Sequence, residues 1–145
     1  MKKLLVMVMT LFVFTSAGFA NVNEKVLTSF NKAFPSAENI KWTEDGKGYF
    51  VSFNQFGIYT KVTYDHRGDF QYALRYYKEE NLPVSILVAA KEKFENTKIF
   101  AVIEVSTAED IEYHIKLEGA KKMYGIRVSS SGSIAIEERF KRSDS

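Results

Sequence analysis

Apolar positions recur along the chain with two different periods. From Asn23 onward, Val26, Leu27, Phe30, Ala33 and Phe34 fall on one face of a 3.6-residue helix. Asn23 is suited to cap its start, and Pro35, which lacks an N–H donor, cannot continue it, so the spacing predicts a helix over 24–34. The period then drops to two. Four short stretches rich in aromatic and β-branched residues follow: Ile40 with Trp42; Tyr49, Val51 and Phe53; Ile58, Thr60, Val62 and Tyr64; Phe70, Tyr72, Leu74 and Tyr76. Turn residues at 44–48, 54–57 and 65–68 separate them, which predicts antiparallel strands joined by hairpins.

The pattern then restarts. Pro83 is tolerated in a first helical turn, and Val84, Leu87, Val88 and Phe94 predict a second amphipathic helix over 83–95. Four more strand-like stretches follow, at 99–103, 111–117, 124–128 and 134–136. The halves superimpose as sequences. Phe34 matches Phe94 at an offset of 60, and beyond the first hairpin Tyr49, Val51 and Phe53 match Tyr113, Ile115 and Leu117 at 64. Gly68 matches Gly132 at the same offset. This predicts an α+β fold made of a tandem repeat, each copy a helix plus a four-stranded antiparallel sheet. The copies would occupy 21–78 and 79–145.

One face of each sheet must cover its helix and the other must look outward. Alternation assigns Tyr49, Val51, Phe53, Val62, Tyr64 and Phe70 to the helix side. It assigns Phe50, Ser52, Tyr59, Lys61, Thr63, Arg75 and Tyr77 to the free side, with Phe100, Glu112, His114, Lys116 and Arg127 in the second half. If the sheets join edge to edge, about eight strands form one surface with both helices on one face.

Residues 1–20 change how composition is read. Lys2 and Lys3, an apolar run from Leu4 to Phe14, and the small residues Gly18 and Ala20 have the layout of a secretory signal peptide cut after Ala20. The run is shorter than the roughly 20 residues a membrane span needs, so no span is expected after cleavage. The 20 lost residues leave 125 of the 145, and the two lost lysines leave 18 basic against 18 acidic side chains. A neutral chain without a clustered Lys/Arg stripe argues against a nucleic-acid partner. Without cysteine, stability after export rests on core burial, and thiolate metal sites are excluded.

The run 30–42, FNKAFPSAENIKW, followed by GYFVSF at 48–53 and VTYDHRG at 62–68, resembles the small exported bacterial proteins called PepSY-like or beta-lactamase-inhibitor-like. The likeness spans Val26 to Phe140 and is best in the first half; in the second, Glu95 stands where a proline is expected after Phe94, and no tryptophan follows. The resemblance implies a tandem helix-plus-sheet fold, a periplasmic or secreted location and a role in binding or inhibiting another protein. It carries no defined functional residue.

Catalytic chemistry has few candidates. His66 sits in a turn beside Asp65, Arg67 and Asp69, and His114 sits mid-strand facing outward; their spacing matches no zinc or copper motif. Asp65 and Asp69 lack the twelve-residue oxygen-ligand pattern of a calcium loop, and no nucleophile elbow or phosphate-binding glycine loop occurs. Ser129 to Ser133 reads as a hairpin turn, and residues 140–145 read as a frayed tail. The exposed aromatics carry more information, because Tyr, Phe and Arg are the usual anchors of protein interfaces. Phe50, Phe56, Tyr59, Tyr77, Phe100 and Arg127 are the candidate protein-binding residues. The expected function is non-enzymatic binding of a protein or peptide in the cell envelope, without cofactor. The alternative is a small apolar-ligand carrier of the periplasm, which would need a cavity between helix and sheet.

Overall fold

A computed structural model describes residues 22–141. The expected signal peptide lies outside the described residues. The elements run α1 (Glu24–Ala33), β1 (Glu38–Asp45), β2 (Gly48–Gln55), β3 (Ile58–Tyr64), β4 (Phe70–Tyr77), a short 3-10 turn (Glu79–Asn81), α2 (Val84–Lys93), β5 (Lys98–Thr107), β6 (Ile111–Glu118), β7 (Lys122–Ser129) and β8 (Ile134–Lys141). The eight strands form one antiparallel sheet in chain order, with β1 and β8 as its edges. Phe140 and Lys141 therefore belong to β8 and not to the tail expected from 140, and the rest of that expected tail lies outside the described residues.

Both helices begin and end where the caps require. Asn23 accepts a hydrogen bond from the Lys25 N–H at 2.8 Å through its side chain, and the Pro83 carbonyl accepts from Ile86 and Leu87. Phe34 and Phe94 close the two helices, each donating its N–H to the carbonyl four residues back. Under α1, Val26 and Phe30 meet Tyr49, Val51, Phe53, Val62, Tyr64 and Ala73. The Phe30 ring is the hub, with centroids of Phe53, Trp42 and Phe34 at 5.1, 5.2 and 5.4 Å. Under α2, Ile86, Ala90 and Phe94 meet Ile99, Val102, Ile115, Leu117, Ile126 and Val128. The expected face of α2 is corrected here: Val84 and Val88 are 75% and 46% exposed. Apart from Ser85 its first seven residues are apolar on every side, and the charged Lys91, Glu92 and Lys93 follow one another at its end, so its period alone does not say which stripe turns inward.

Alternating positions of one strand serve both clusters. Val62 and Ala73 pack under α1, while Ile58 and Tyr77, on the same face of the same strands, pack in the α2 cluster. Both helices therefore cover one face of the sheet. Between the clusters runs a polar row across four strands, in which Thr60 pairs with Arg75, Arg75 with Glu104, and Glu104 with Tyr113. The Glu104 side chain is only 9% exposed. Arg75 Nη1 donates to its two oxygens at 3.1 and 3.2 Å, and the Tyr77 hydroxyl donates to Oε2 at 2.6 Å. Ser106 Oγ lies 3.4 Å from the other oxygen.

Arg75 and Tyr77 thus face the helices, against expectation. The cause is one extra residue in β4. Tyr64 pairs with Phe70 but Thr63 pairs with Tyr72, so Gln71 bulges out and reverses the phase of the rest of the strand. Tyr72, Leu74 and Tyr76 then share the free face with Phe50, Ser52, Tyr59, Lys61 and Thr63. Phe70, opposite Tyr64, stays 39% exposed. A second bulge, between Ile99 and Ala101, takes Phe100 out of the alternation of β5.

Two expectations about stability follow from this packing. Gly48 has φ +149°, and a Cβ there would sit 2.1 Å from the Tyr64 carbonyl oxygen and 2.9 Å from Asp65 Cα, both rigid backbone atoms. Gly48→Ala is expected to cost about 3 kcal/mol by overpacking and backbone strain, lowering Tm by more than about 10 °C. Gly46→Ala in the same hairpin, with open space around it, should stay within about 1 kcal/mol of wild type. Thermal melts of the pair check this; equal Tm values would refute it.

The second concerns alkaline pH. Burial, then the hydrogen bond to Glu104 and its charge, push the Tyr77 hydroxyl far above the usual tyrosine range; burial also raises Tyr64, and burial with the Glu104 charge raises Tyr113. The folded state keeps protons that the unfolded chain releases above about pH 10, so their stabilisation is complete below that pH and declines as pH rises beyond it. Tyr77→Phe should cost about 1–3 kcal/mol at neutral pH, by removing a donor from a buried carboxylate, and should make the alkaline decline shallower. Urea unfolding between pH 8 and 11 measures both, and an unchanged alkaline slope would contradict the assignment.

Candidate protein-binding face

The face of the sheet away from the helices is built from three rows of cross-strand neighbours. The first runs Thr43, Phe50, Thr63, Tyr72, Thr107 across β1–β5. The second runs Lys41, Ser52, Lys61, Leu74, Val105, Glu112, Ser129 across β1–β7. The third begins at Asn54 on β2 and runs through Tyr59, Tyr76, Ile103, His114 and Arg127 to Ala135 on β8. Strand pairing, and not proximity in sequence, brings these side chains together.

The two ends of the rows differ in character. Over β1–β5 the face is aromatic, aliphatic and hydroxyl-bearing. Tyr59 and Tyr72 are 41% and 38% exposed, and the Tyr59 and Tyr76 rings lie 5.7 Å apart. Lys61 Nζ stands 5.8 Å from the centroid of each ring, a cation–π arrangement that holds the ammonium while its N–H donors stay available. Two open hollows share this region. One of about 370 Å³ is lined by Phe50, Ser52, Tyr59, Lys61 and Leu74, and one of about 600 Å³ by Lys47, Phe50, Tyr72, Leu74 and Val105.

Over β6–β8 the face is an ion-pair lattice. Arg127 reaches Glu112 at 3.7 Å and Glu137 at 3.6 Å, and Lys116 pairs with Glu138. His114 has carboxylates at both ring nitrogens, Glu137 at 3.1 Å from Nδ1 and Glu112 at 3.9 Å from Nε2. It faces outward as expected, but it is a member of this lattice and not an isolated surface histidine. Its carboxylates are shared with Arg127, so the arrangement neutralises charge in place. His66 remains at its hairpin, 3.9 Å from Glu44 and edge-on to Tyr49. Beside it, Asp65 accepts from the N–H groups of Asp69 and Arg67, which hold its carboxyl below the usual carboxylate range. Asp69 is bound to Lys25 at 2.8 Å, so both turn carboxylates are engaged by the protein itself.

The six residues singled out from the sequence are dispersed. Phe50 and Tyr59 lie on the aromatic half of the free face. Phe56 is 85% exposed at the tip of the β2–β3 turn, with φ +51° beside Gly57. Tyr77 is buried on the opposite side, and Phe100 lines a separate groove with Leu82, Val84 and Leu87. Arg127 belongs to the ion-pair lattice. Sequence reading missed Tyr72, Leu74 and Tyr76, because the Gln71 bulge inverts their phase. Arg75 gave no warning, because an arginine suits the outward face that strict alternation assigns to it, and its true partner, Glu104, lies on another strand.

No family model matches the chain, and no curated protein matches it. Solved structures do. A BLIP-like protein from Bacteroides fragilis NCTC 9343 is 21% identical, with a TM-score of 0.66, over 88% of this chain and 92% of that one. A DUF2874 family protein from Bacteroides ovatus ATCC 8483 is 19% identical, with a TM-score of 0.63, over 87% and 92%. A protein from Bacteroides eggerthii DSM 20697 with a provisional periplasmic description is 18% identical, with a TM-score of 0.62, over 86% and 90%. At these identities the likeness establishes the fold: a BLIP-like α+β architecture with one eight-stranded antiparallel sheet and two helices on it.

Proposed function

We propose that this is an exported, non-enzymatic binding protein that docks a protein or peptide of the cell envelope on the free face of its sheet, modulating or inhibiting it by surface complementarity without a cofactor. The observation that carries the reading is the solvent-facing patch of Phe50, Tyr59, Tyr72, Leu74 and Tyr76 on a face that neither α1 nor α2 covers. Aromatic side chains offer large contact area at small entropic cost, and a rigid sheet presents them without reorganisation. Phe56 stands at the tip of the β2–β3 turn, and Arg127 lies on β7 further along the third row from Tyr59. The signal-like pattern of residues 1–20 supports export, as does the provisional periplasmic description of one solved relative in fold. Against the small-ligand carrier, the two side-chain clusters fill the space between helices and sheet, the two hollows of the docking face lie on the other side, and the groove beside α2 at Phe100 is bordered by the charged Lys78, Glu79, Glu80 and Lys98.

The same reading includes the internal duplication, with halves at 21–78 and 79–145. Three correspondences support it. Phe34 and Phe94 end their helices with nearly the same backbone angles. Gly68 and Gly132 have φ +86° and +87° in turns with matching hydrogen bonds, Gly68 to Asp65 and Gly132 to Ser129. Each half also carries a register shift at its first strand and another at its last.

The test is affinity capture from an envelope extract with wild-type protein, a Tyr59→Ala/Tyr72→Ala variant and a Val88→Ala control on the helix side. Interface anchors are worth about 2 kcal/mol each, so the double variant should lose recovery of a specific partner by tenfold or more while Val88→Ala retains it. Equal recovery by wild type and the double variant would refute docking on this face.

A further inference from the structure

The aromatic half of the free face carries a charge imbalance that its other half lacks. Lys41, Ser52 and Lys61 are consecutive members of one row, and Lys47 borders the adjoining hollow, whose one carboxylate, Asp65, is engaged by Arg67 and by the backbone N–H groups of Arg67 and Asp69. Among the described residues, no carboxylate lies within 4.0 Å of any of these three ammonium groups. On β6–β8, by contrast, Lys116, Arg127 and His114 are each paired with Glu112, Glu137 or Glu138. The uncompensated positive charge therefore coincides with the exposed aromatic and aliphatic side chains.

Resting on the docking reading above, we propose that the occupant of this face is a protein segment carrying Asp or Glu beside an aromatic or aliphatic side chain. Its carboxylate meets Lys61, which Tyr59 and Tyr76 hold in place, with Lys41 adding charge from the far side of Ser52. Its apolar side chain enters the hollow between Phe50, Tyr72, Leu74 and Val105. Ser52 and Thr43 supply hydroxyls between the lysines and the apolar floor, so a carboxylate there keeps hydrogen-bond partners when water is displaced. Isolated lysines interleaved with apolar surface suit a carboxylate of a folded or peptide partner. A phosphate backbone or a lipid headgroup layer would call for a denser basic cluster.

Selection from a displayed library of random peptides of about twelve residues, using protein produced from the full-length chain, tests this with three variants. Wild type should enrich Asp and Glu adjacent to apolar residues by about threefold over the unselected library. A selected acidic peptide should bind Lys61→Gln about tenfold more weakly, and its affinity should fall as salt rises from about 50 to 500 mM. Lys116→Gln, whose charge is already engaged by Glu138, should change its affinity by less than about twofold. Tyr72→Ala, at an exposed position and with its Tm checked, should weaken binding about tenfold or more. Peptides without acidic enrichment that are still lost in Tyr72→Ala would overturn the acidic partner and leave docking on this face standing. Peptides that bind Tyr72→Ala as well as wild type, or no selected peptide at all, would overturn both. Displacement of the selected peptides by anionic phosphatidylglycerol vesicles or by a short oligothymidine would also overturn the acidic protein segment as occupant.

Discussion

The structure depends on the Glu104 carboxylate and the donors that surround it. A carboxylate in this position, nearly out of water, is tolerable only because Arg75, Tyr77 and Ser106 direct hydrogen bonds at it. Arg75 and Tyr77 come from β4 and Glu104 from β5, the pair of strands through which the α1-covered and α2-covered parts of the sheet are joined. Sliding β4 by one residue against β5 would leave Glu104 facing Leu74 or Tyr76 positions and strand its charge. The polar row thus specifies one register at the place where apolar packing is thinnest, midway between two hydrophobic clusters. Among the described residues no buried side-chain polar atom lacks a partner, so the row is satisfied as well as specific.

Much of this fold is legible in the sequence, and the parts that are not have physical reasons. The helix over 24–33, the hairpins at 46–47 and 65–68, and the inward set Tyr49, Val51, Phe53, Val62 and Tyr64 follow from period and turn chemistry. Those signals are local, and each is reinforced by its neighbours. The face of α2 was not readable because Val84, Ile86, Leu87 and Val88 leave no polar stripe to set the phase. The face of β4 was not readable because a bulge adds one residue without any glycine or proline to announce it. That single residue moved Tyr77 from the free face to the core and Tyr72, Leu74 and Tyr76 the other way. Half of the candidate site therefore depended on a pairing between strands, information that no window of consecutive residues contains.

The free face also shows how one sheet can carry two surfaces of different use. Over β6–β8, oppositely charged side chains on neighbouring strands satisfy each other, so the surface is strongly polar yet has little left to offer a partner. Over β1–β5, aromatic rings stand in the open and the cations among them are unanswered by carboxylates. The helix side gives no such contrast, since both helices are spent on covering the core. Overall likeness in fold to other eight-stranded proteins consequently says little about binding, because the distinguishing chemistry lies in outward side chains that packing does not constrain.

The bulges in the outermost strands have an effect beyond phase. β1 is interrupted near Asn39, at φ +55°, and the pairing of β8 slips beside Glu137. A foreign strand laid along either edge would find its hydrogen-bond ladder broken after a few residues, next to charged side chains such as Lys41 on one side and Glu138 and Arg139 on the other. An open sheet without disulfides is thereby protected from growing end to end into aggregates.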